Sequence, residues 1–309
     1  MKISVAMASY NGEKYIEEQL DSILSQTMPV DEIIICDDKS KDNTVKVVEE
    51  FISKKGVSDI INISVNEENL GYASNFISAV KKTTGDLIFF CDQDDIWIDS
   101  RVEEMVHIME ENKKIMTLGS EFSSFVSSPD APSVPKWESK KYKNNKALEK
   151  VKFKPENIFI GAQGCTMCIR RSFFERIERY WYPGLAHDEF VWKFALCMEG
   201  LYMYHSYTLN RRLHSDNVSL RKMRDLEKRV GFLEDLLKSH ETTLKFAKDI
   251  NLNRKKIKLF ERNIKATKLR IELLKDKKYF NTVKLVLFYF NCYHKSRSIP
   301  VELKMAVKG

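Results

Sequence analysis

Asp86-Leu87-Ile88-Phe89-Phe90-Cys91-Asp92-Gln93-Asp94-Asp95-Ile96-Trp97, DLIFFCDQDDIW, joins an unbroken apolar run to three carboxylates within four positions. A short apolar run without alternation is the mark of a strand buried on both faces, and such strands belong to parallel sheets covered by helices. Carboxylates this close repel one another unless a cation or hydrogen-bond donors offset them. The stretch therefore reads as a buried strand whose carboxyl end opens into a site.

Working outward, Ile3 to Ala8, Glu32 to Cys36 and Ile60 to Val65 are strand-like runs of the same kind. Between them apolar residues recur at helical spacing: Tyr15, Ile16, Leu20, Ile23 and Leu24, then Val45, Val47, Val48, Phe51 and Ile52, then Phe76, Ile77 and Val80. The order βαβαβαβ predicts an α/β fold, a mostly parallel sheet flanked by helices with a Rossmann-like nucleotide-binding half. In such sheets the ligand crevice lies beyond the carboxyl ends of the strands. The residues following the four strands are Ala8-Ser9-Tyr10-Asn11, Asp37-Asp38-Lys39-Ser40, Asn66-Glu67-Glu68-Asn69-Leu70-Gly71 and Asp92-Gln93-Asp94-Asp95. Polar, largely acidic groups converge on one edge.

From Gly119 to about Lys154 the texture turns to Ser, Pro and Lys, with Pro129, Pro132 and Pro135 close together, and a flexible insertion is expected there. Regular patterning resumes from Ile158 to Arg170, with a helix over Glu189 to Glu199 and a strand over Leu201 to Leu209. Beyond Ser219 the chain becomes Lys-rich with helical periodicity at Leu226, Val230, Leu233 and Leu237, and again at Ile257, Phe260, Ile264, Ile271 and Leu274. The expected domains are 1–220, made of a nucleotide half 1–118, the insertion 119–154 and an acceptor-side part 155–220, followed by a basic helical tail, 221–309. The stretch 279–293 is apolar and aromatic between Lys277, Lys278, Lys295 and Arg297, as in helices that lie in a membrane interface; packing on the rest of the protein is the alternative.

The 309 residues are 43% hydrophobic, enough for a substantial core, and 51 Lys and Arg against 44 Asp and Glu leave a net charge of +7. That excess alone supports no nucleic-acid module, and none is recognisable. The six cysteines stand in apolar surroundings with no secretory leader before them, which points to a reducing, cytoplasmic compartment, or to its border at the inner face of the plasma membrane. Cys165 and Cys168 have redox-like spacing but no second pair, so they read as buried structural thiols. No window is long and apolar enough to span a bilayer. A dinucleotide-binding dehydrogenase is excluded at the first turn, where Ala8-Ser9-Tyr10-Asn11-Gly12 is no G-x-G-x-x-G.

Asp92 and Asp94, separated by one residue at a strand end, could offer oxygen ligands to a hard divalent cation that binds a diphosphate. Asp38 could accept from the N3–H of a pyrimidine, and Asp42 or Asn43 could cap the following helix. Trp97 is expected to pack in the core. His187 and His214 could each be core histidines, and Arg211 and Arg212 a solvated pair.

The set SVAMASYNGEKYIEEQLDSILSQT, IIICDDKSKDNT, NLGYASNF, TGDLIFFCDQDDIW, GCTM, HDEFVW and RRLHSDNVS resembles, in order and spacing, the family-2 glycosyltransferases with the GT-A fold, and among them the rhamnosyltransferase-like branch. The resemblance covers about residues 1 to 220. It implies that Ala8 and Tyr10 line the nucleotide pocket, that Asp38 reads the base with Asp37 supporting its turn, and that Asn69, Gly71 and Asn75 lie on the donor side. It further implies Asp94 as metal ligand with Asp92 nearer the ribose or sugar, His214 as a further metal or diphosphate ligand, Arg212 near the phosphates, and Asp188 as general base. Two departures stand out. Glu189 follows the His-Asp pair where the branch carries an aromatic, which leaves Asp188 and Glu189 both as base candidates, and Arg211 stands where relatives carry Tyr.

An inverting transfer is one displacement, so it needs a base on the acceptor side and charge stabilisation at the departing phosphate. The resemblance thus implies an inverting transferase dependent on Mn²⁺ or Mg²⁺, moving a sugar from a nucleotide sugar, dTDP-rhamnose or a UDP-hexose, to a glycan or lipid-linked acceptor in surface polysaccharide assembly. The alternative is a catalytically degenerate scaffold of the same fold that docks through its basic tail.

Overall fold

The computed structural model describes residues 1–215, 225–293 and 298–308. The boundary expected at residue 220, the Asp216-Asn217-Val218-Ser219 end of the last phrase, and Lys295 and Arg297 lie outside the described residues.

The first third alternates strand and helix: β1 Ile3–Ser9, α1 Ile16–Leu24, β2 Glu32–Asp37, α2 Thr44–Lys55, β3 Ile61–Val65, α3 Tyr72–Lys82 and β4 Leu87–Asp92. β1 pairs in parallel with β2 on one side and β4 on the other, and β3 pairs with β2. The chain therefore leaves β1 in one direction and returns to its other flank, which is the switch point where open α/β sheets form their crevice. β1, β2 and β4 are mostly apolar because both faces are covered, and Val5, Met7, Ile33, Ile35, Phe89 and Phe90 are all fully buried, whereas the edge strand β3 is partly exposed. Each helix contributes one stripe at helical spacing, Ile16, Leu20 and Ile23 from α1, and Phe76, Ile77 and Val80 from α3. Burial of each such side chain contributes roughly 1.5–3 kcal/mol.

Beyond β4 the elements are β5 Ile96–Trp97, α4 Arg101–Glu111, β6 Thr117–Val126, α5 Glu138–Lys141, β7 Ala147–Lys150, β8 Cys168–Arg170, α6 Arg171–Ile177, α7 His187–Cys197 and β9 Leu201–Leu213. Among the described residues the sheet runs β3-β2-β1-β4-β8-β6-β9-β5, with β7 also on β9. Its first four strands are parallel; β8 is antiparallel to both neighbours, β6 and β9 are parallel, and β5 and β7 are antiparallel to β9. Trp97 packs in the core as its sequence context suggests, with the buried Arg101 guanidinium 4.4 Å from its ring.

Residues 119–154 are not one irregular excursion. They contain most of β6, a long strand inside the sheet, and also α5 and β7. β6 escapes a hydrophobicity reading because its polar residues are satisfied inside the protein. Buried Glu121 accepts from the backbone N–H groups of Lys143 and Asn144 and pairs with His205, and Ser120 Oγ donates to Thr166 O. The stretch around the three prolines stays irregular, as do 142–146 and 151–154.

The chain divides into two compact units, Met1–Val151 with Gly161–Ala195 and Gly200–Asn217, and Lys152–Ile160 with Leu196–Glu199 and Val218–Gly309. In the second, α8 Leu226–Asp249 and α9 Arg254–Lys275 pack together, and α10 Asn281–Phe288 and α11 Ser298–Lys308 lie on α9. Asp225 and Asn253 cap α8 and α9, each side chain accepting from the N–H three residues on. The core is Leu233, Leu236, Leu273, Leu274, Leu285 and Ile299, and among these apolar groups sits one fully buried carboxylate. Glu302 of α11 accepts from Arg229 of α8 at 2.5 and 2.9 Å and from Arg270 of α9 at 2.6 and 3.0 Å. Removing one partner of such a buried set leaves uncompensated charge. Glu302→Ala is expected to destabilise the helical unit by about 3 kcal/mol, read as a lower denaturation midpoint in circular dichroism at the helix band.

Candidate active site

The carboxyl edges of β2, β1 and β4 are in register: Ser9 lies opposite Asp37, and Ala8 opposite both Cys36 and Asp92. The loops that leave this edge are stitched to each other by side chains rather than by regular structure. Asn11, at φ 52, accepts from Lys41 N and donates its own N–H to Ser40 Oγ, while Gly12 N donates to Thr44 Oγ1. A Cβ at Gly12 would fall 2.3 Å from Gln93 Oε1, the atom that accepts from Tyr10 N, so a side chain here would displace the Gln93 amide from Tyr10. Tyr10 itself is exposed at the mouth of the edge, and its backbone is held from both sides by Gln93.

Asp37 and Asp38 are both buried, and their carboxylates are largely spoken for. Asp37 accepts from Ser9 Oγ, Ser40 Oγ and Ser40 N, closing the turn after β2. Asp38 accepts from Asn66 Nδ2 at 2.9 Å, Leu70 N at 2.7 Å and Gly71 N at 2.9 Å. A carboxylate has about four acceptor positions, so one remains for a base. Asn69 donates to Asp38 O, Gly71 adopts φ 79, and Asn75 donates to Ser9 O and Cys36 O while accepting from Asn66. Asn69, Gly71 and Asn75 thus shape the edge from behind.

The acidic turn is organised differently from the expected Asp92, Asp94 and His214 triad. Residues 93 and 94 form the turn between β4 and β5, so Asp92 and Asp95, three apart, are brought together. With Cys165 they form a group whose ligand atoms lie within 4.8 Å of one another. Asp94 instead reaches His214, with Oδ2 2.7 Å from Nε2. The structure therefore joins two of the three expected ligands directly and places Asp92 with Asp95 and Cys165. Burial and the neighbouring Asp94 charge push the Asp92 carboxyl up to about 7, against the pull of Arg211. Burial and the charges of Asp94 and Asp92 likewise push Asp95 well above the ordinary carboxylate range, and its Oδ2 is a buried acceptor without a hydrogen-bond donor.

β9 supplies the cations because β5 pairs with it just before Arg211. Arg211 and Arg212 are both buried and so are no solvated pair. Arg212 N donates to Asp95 Oδ1, Nε donates to Asp94 O at 2.9 Å, and its guanidinium lies between the rings of Tyr15 and Phe125, 4.8 Å from each, while donating to Glu18. Its contacts fix the acidic turn, whereas Arg211 offsets the charge of Asp92 and Asp95.

Asp188 and Glu189 open α7. His187 is a core histidine, stacked on Phe76 at 3.8 Å with neither ring nitrogen hydrogen-bonded, and burial pushes its pKa down to about 3. Asp188 accepts from Glu189 N at 2.7 Å, and burial raises its pKa to about 6. The Asp188 charge also raises Asp92, which puts the two within electrostatic reach. Glu189 is engaged by the buried ammonium of Lys193 at 2.5 Å.

Sequence reasoning passes over Asp95, Cys165, Gln93 and Lys193. The spacing of a turn would have paired Asp92 with Asp95, and the i, i+4 relation would have paired Glu189 with Lys193. Nothing in the sequence places Cys165 against the turn.

Oxygen donors with one imidazole suit Mn²⁺ or Mg²⁺. Asp94 Oδ2 and His214 Nε2 share a hydrogen bond of 2.7 Å, and the same two atoms would hold a cation that displaced the shared proton. Asp92 and Asp95 are pushed toward their protonated forms, and a bound cation would take the place of those protons.

Residues 4–177, more than half of the chain, match the family described as "Glycosyl transferase family 2". The chain is 37% identical over 110 residues to UDP-Glc:alpha-D-GlcNAc-diphosphoundecaprenol beta-1,3-glucosyltransferase WfgD of Escherichia coli, covering 36% of this chain and 42% of that one. It is 43% identical over 105 residues to dTDP-rhamnosyl transferase RfbG of Shigella flexneri, covering 32% and 35%. The matches thus span less than half the length of these relatives. Among solved structures, S. aureus TarS 1-349 in complex with UDP-GlcNAc superposes with a TM-score of 0.63 at 18% identity, over 100% of this chain and 91% of that one, and so shares the fold.

Gly164 lies where a Cβ would come within 2.3 Å of His187 Nε2 and 3.3 Å of Asp188 Cβ. Gly164→Ala is expected to cost about 1–3 kcal/mol by overpacking against the start of α7. Gly231→Ala, in α8 with no atom near the added methyl, is expected to gain about 0.5–1 kcal/mol. Urea unfolding of both variants measures the contrast.

Proposed function

The chain belongs to glycosyl transferase family 2, and on that premise we propose that it is an inverting transferase that moves a sugar from a pyrimidine nucleoside diphosphate to a glycan or lipid-linked saccharide acceptor. The observation that carries this reading is the Asp94–His214 contact at the carboxyl edge of β4, with Asp188 within electrostatic reach of the same acidic turn. The relatives named above use dTDP-rhamnose or UDP-Glc by their descriptions, and one acts on a diphosphoundecaprenol-linked sugar. We propose the same two donor classes here, with the acceptor held on a lipid carrier at the inner face of the plasma membrane.

In this reading Tyr10 lies beside the base, the remaining acceptor position of Asp38 takes the pyrimidine N3–H, and Ala8 leaves room between them. Asp94 and His214, with Asp92, would hold a divalent cation. When bound, it supplies charge stabilisation to the departing diphosphate. Arg212 holds the turn that presents Asp94. Asp188 takes the proton of the acceptor hydroxyl as that oxygen bonds to the anomeric carbon, and the bond from this carbon to the diphosphate oxygen breaks with its electron pair leaving on the diphosphate. Glu189 is already committed to Lys193, so Asp188 is the base of the pair.

The test is release of nucleoside diphosphate from a panel of nucleotide sugars, with Mn²⁺ and a lipid-linked saccharide pool. Asp188→Asn is expected to lower turnover by about 10²–10⁴-fold with donor binding retained, and Asp94→Ala to abolish the response to Mn²⁺. Turnover by Asp188→Asn equal to wild type would remove Asp188 from the chemistry.

A base must be unprotonated to act, and Asp188 has a pKa raised to about 6. The value of kcat/KM is therefore expected to be level above that pH and to fall about tenfold per unit below it. A profile flat down to pH 4.5 would show that another group is the base.

A further inference from the structure

α10 leaves an apolar face open in the helical unit. Asn281 and Leu285 are buried, whereas Phe280, Leu287 and Phe288 are 71%, 67% and 62% exposed, and Val283, Val286 and Phe290 are about half exposed. Six large apolar side chains within eleven positions form a contiguous patch of the kind that marks an interaction surface. Along the sequence, the charge carried by this stretch has one sign. From Lys277 to Val301 the sequence holds Lys277, Lys278, Lys284, Lys295 and Arg297 and no Asp or Glu. Lys284 Nζ sits 5.5 Å from the Phe280 ring, inside the patch. The bordering carboxylates are occupied: Glu272 and Asp276 pair with Lys278, and Glu302 is buried between Arg229 and Arg270.

We propose that this face docks on an anionic lipid surface. α10 would lie in the interface plane, with Phe280, Leu287 and Phe288 among the acyl chains and Lys284 at the headgroups. At eight residues, about 12 Å, it is far too short to cross a bilayer, and among the described residues no helix is long and apolar enough to do so. Charge complementarity selects lipid over a second copy of this chain, since self-docking through the same face would set cation against cation. The inference concerns the helical unit and holds whether or not the first unit transfers a sugar.

The experiment is flotation of the full chain with vesicles of phosphatidylcholine alone or mixed with phosphatidylglycerol, alongside light scattering for oligomeric state. Wild type is expected to float with the mixed vesicles, less so at high salt, and only weakly with phosphatidylcholine. The variant carrying Phe280→Ser, Leu287→Ser and Phe288→Ser is expected to lose about tenfold or more in partition coefficient. Its helical circular dichroism and unfolding midpoint should be unchanged, since these side chains contact solvent. Lys284→Glu should weaken binding to mixed vesicles while leaving the weak neutral binding alone. The proposal is overturned by failure of wild type to bind mixed vesicles, by equal binding of the triple variant, or by a wild-type dimer that the triple variant disperses without any lipid binding.

Discussion

The constraint on which the first unit depends is the crowding of Asp92, Asp94 and Asp95 at the end of a buried strand. Two like charges about 4 Å apart repel by roughly 4 kcal/mol at an effective dielectric of 20, and burial adds a desolvation cost for each. The protein answers with geometry. The turn sends Asp94 out to His214 while Asp92 and Asp95 fold back over Cys165. β9 runs beside β5 so that Arg211 and Arg212 arrive where the charge is greatest, and Arg212 spends its donors on the turn itself. Even so, Asp92 and Asp95 remain pushed up and one oxygen of Asp95 has no donor. Burial and mutual repulsion thus hold these two carboxyls toward their protonated, neutral forms, which is how the fold limits the repulsion at the end of the strand.

The neighbouring loops show the complementary strategy, with buried polar groups tied to one another. Asp37 gathers two serines, Asp38 gathers Asn66 and two backbone N–H groups, and Asn75 spans the ends of β1 and β2. Such networks are rigid because breaking one bond strands a buried partner. The edge therefore holds a fixed shape beside an acidic turn whose carboxyls repel one another.

Much of the fold was legible because it rests on periodicity. β1 to β4 are short runs rich in apolar residues, α1 to α3 show one apolar stripe each, and the matching family model and TarS superposition agree with the α/β architecture. β6 was illegible for the opposite reason. Ser120 and Glu121 interrupt it, and their partners, Thr166, Lys143, Asn144 and His205, come from distant segments that no local window contains. The site divides in the same way. Strand ends name Asp37, Asp38, Asp92 and Asp94 because topology brings them to one edge. The grouping of Asp92 with Asp95 and Cys165, and the use of Arg212 as a clamp on the turn, depend on the antiparallel return of β9 and on a loop from β8's side of the sheet.

The two carboxylates at the start of α7 show how environment separates roles that sequence leaves equal. Asp188 and Glu189 are adjacent, and either could face a substrate on composition alone. Lys193 lies one turn beyond Glu189, so the helix itself delivers an ammonium to that side chain, and the lysine is buried so that the pair is little screened. Asp188 has its neighbour's backbone N–H and an environment whose dominant effect is burial, which raises its affinity for a proton. The two adjacent carboxylates thus differ in what they touch, one tied to an ammonium of its own helix and the other to a backbone N–H, and the proposed reading gives the role of base to Asp188.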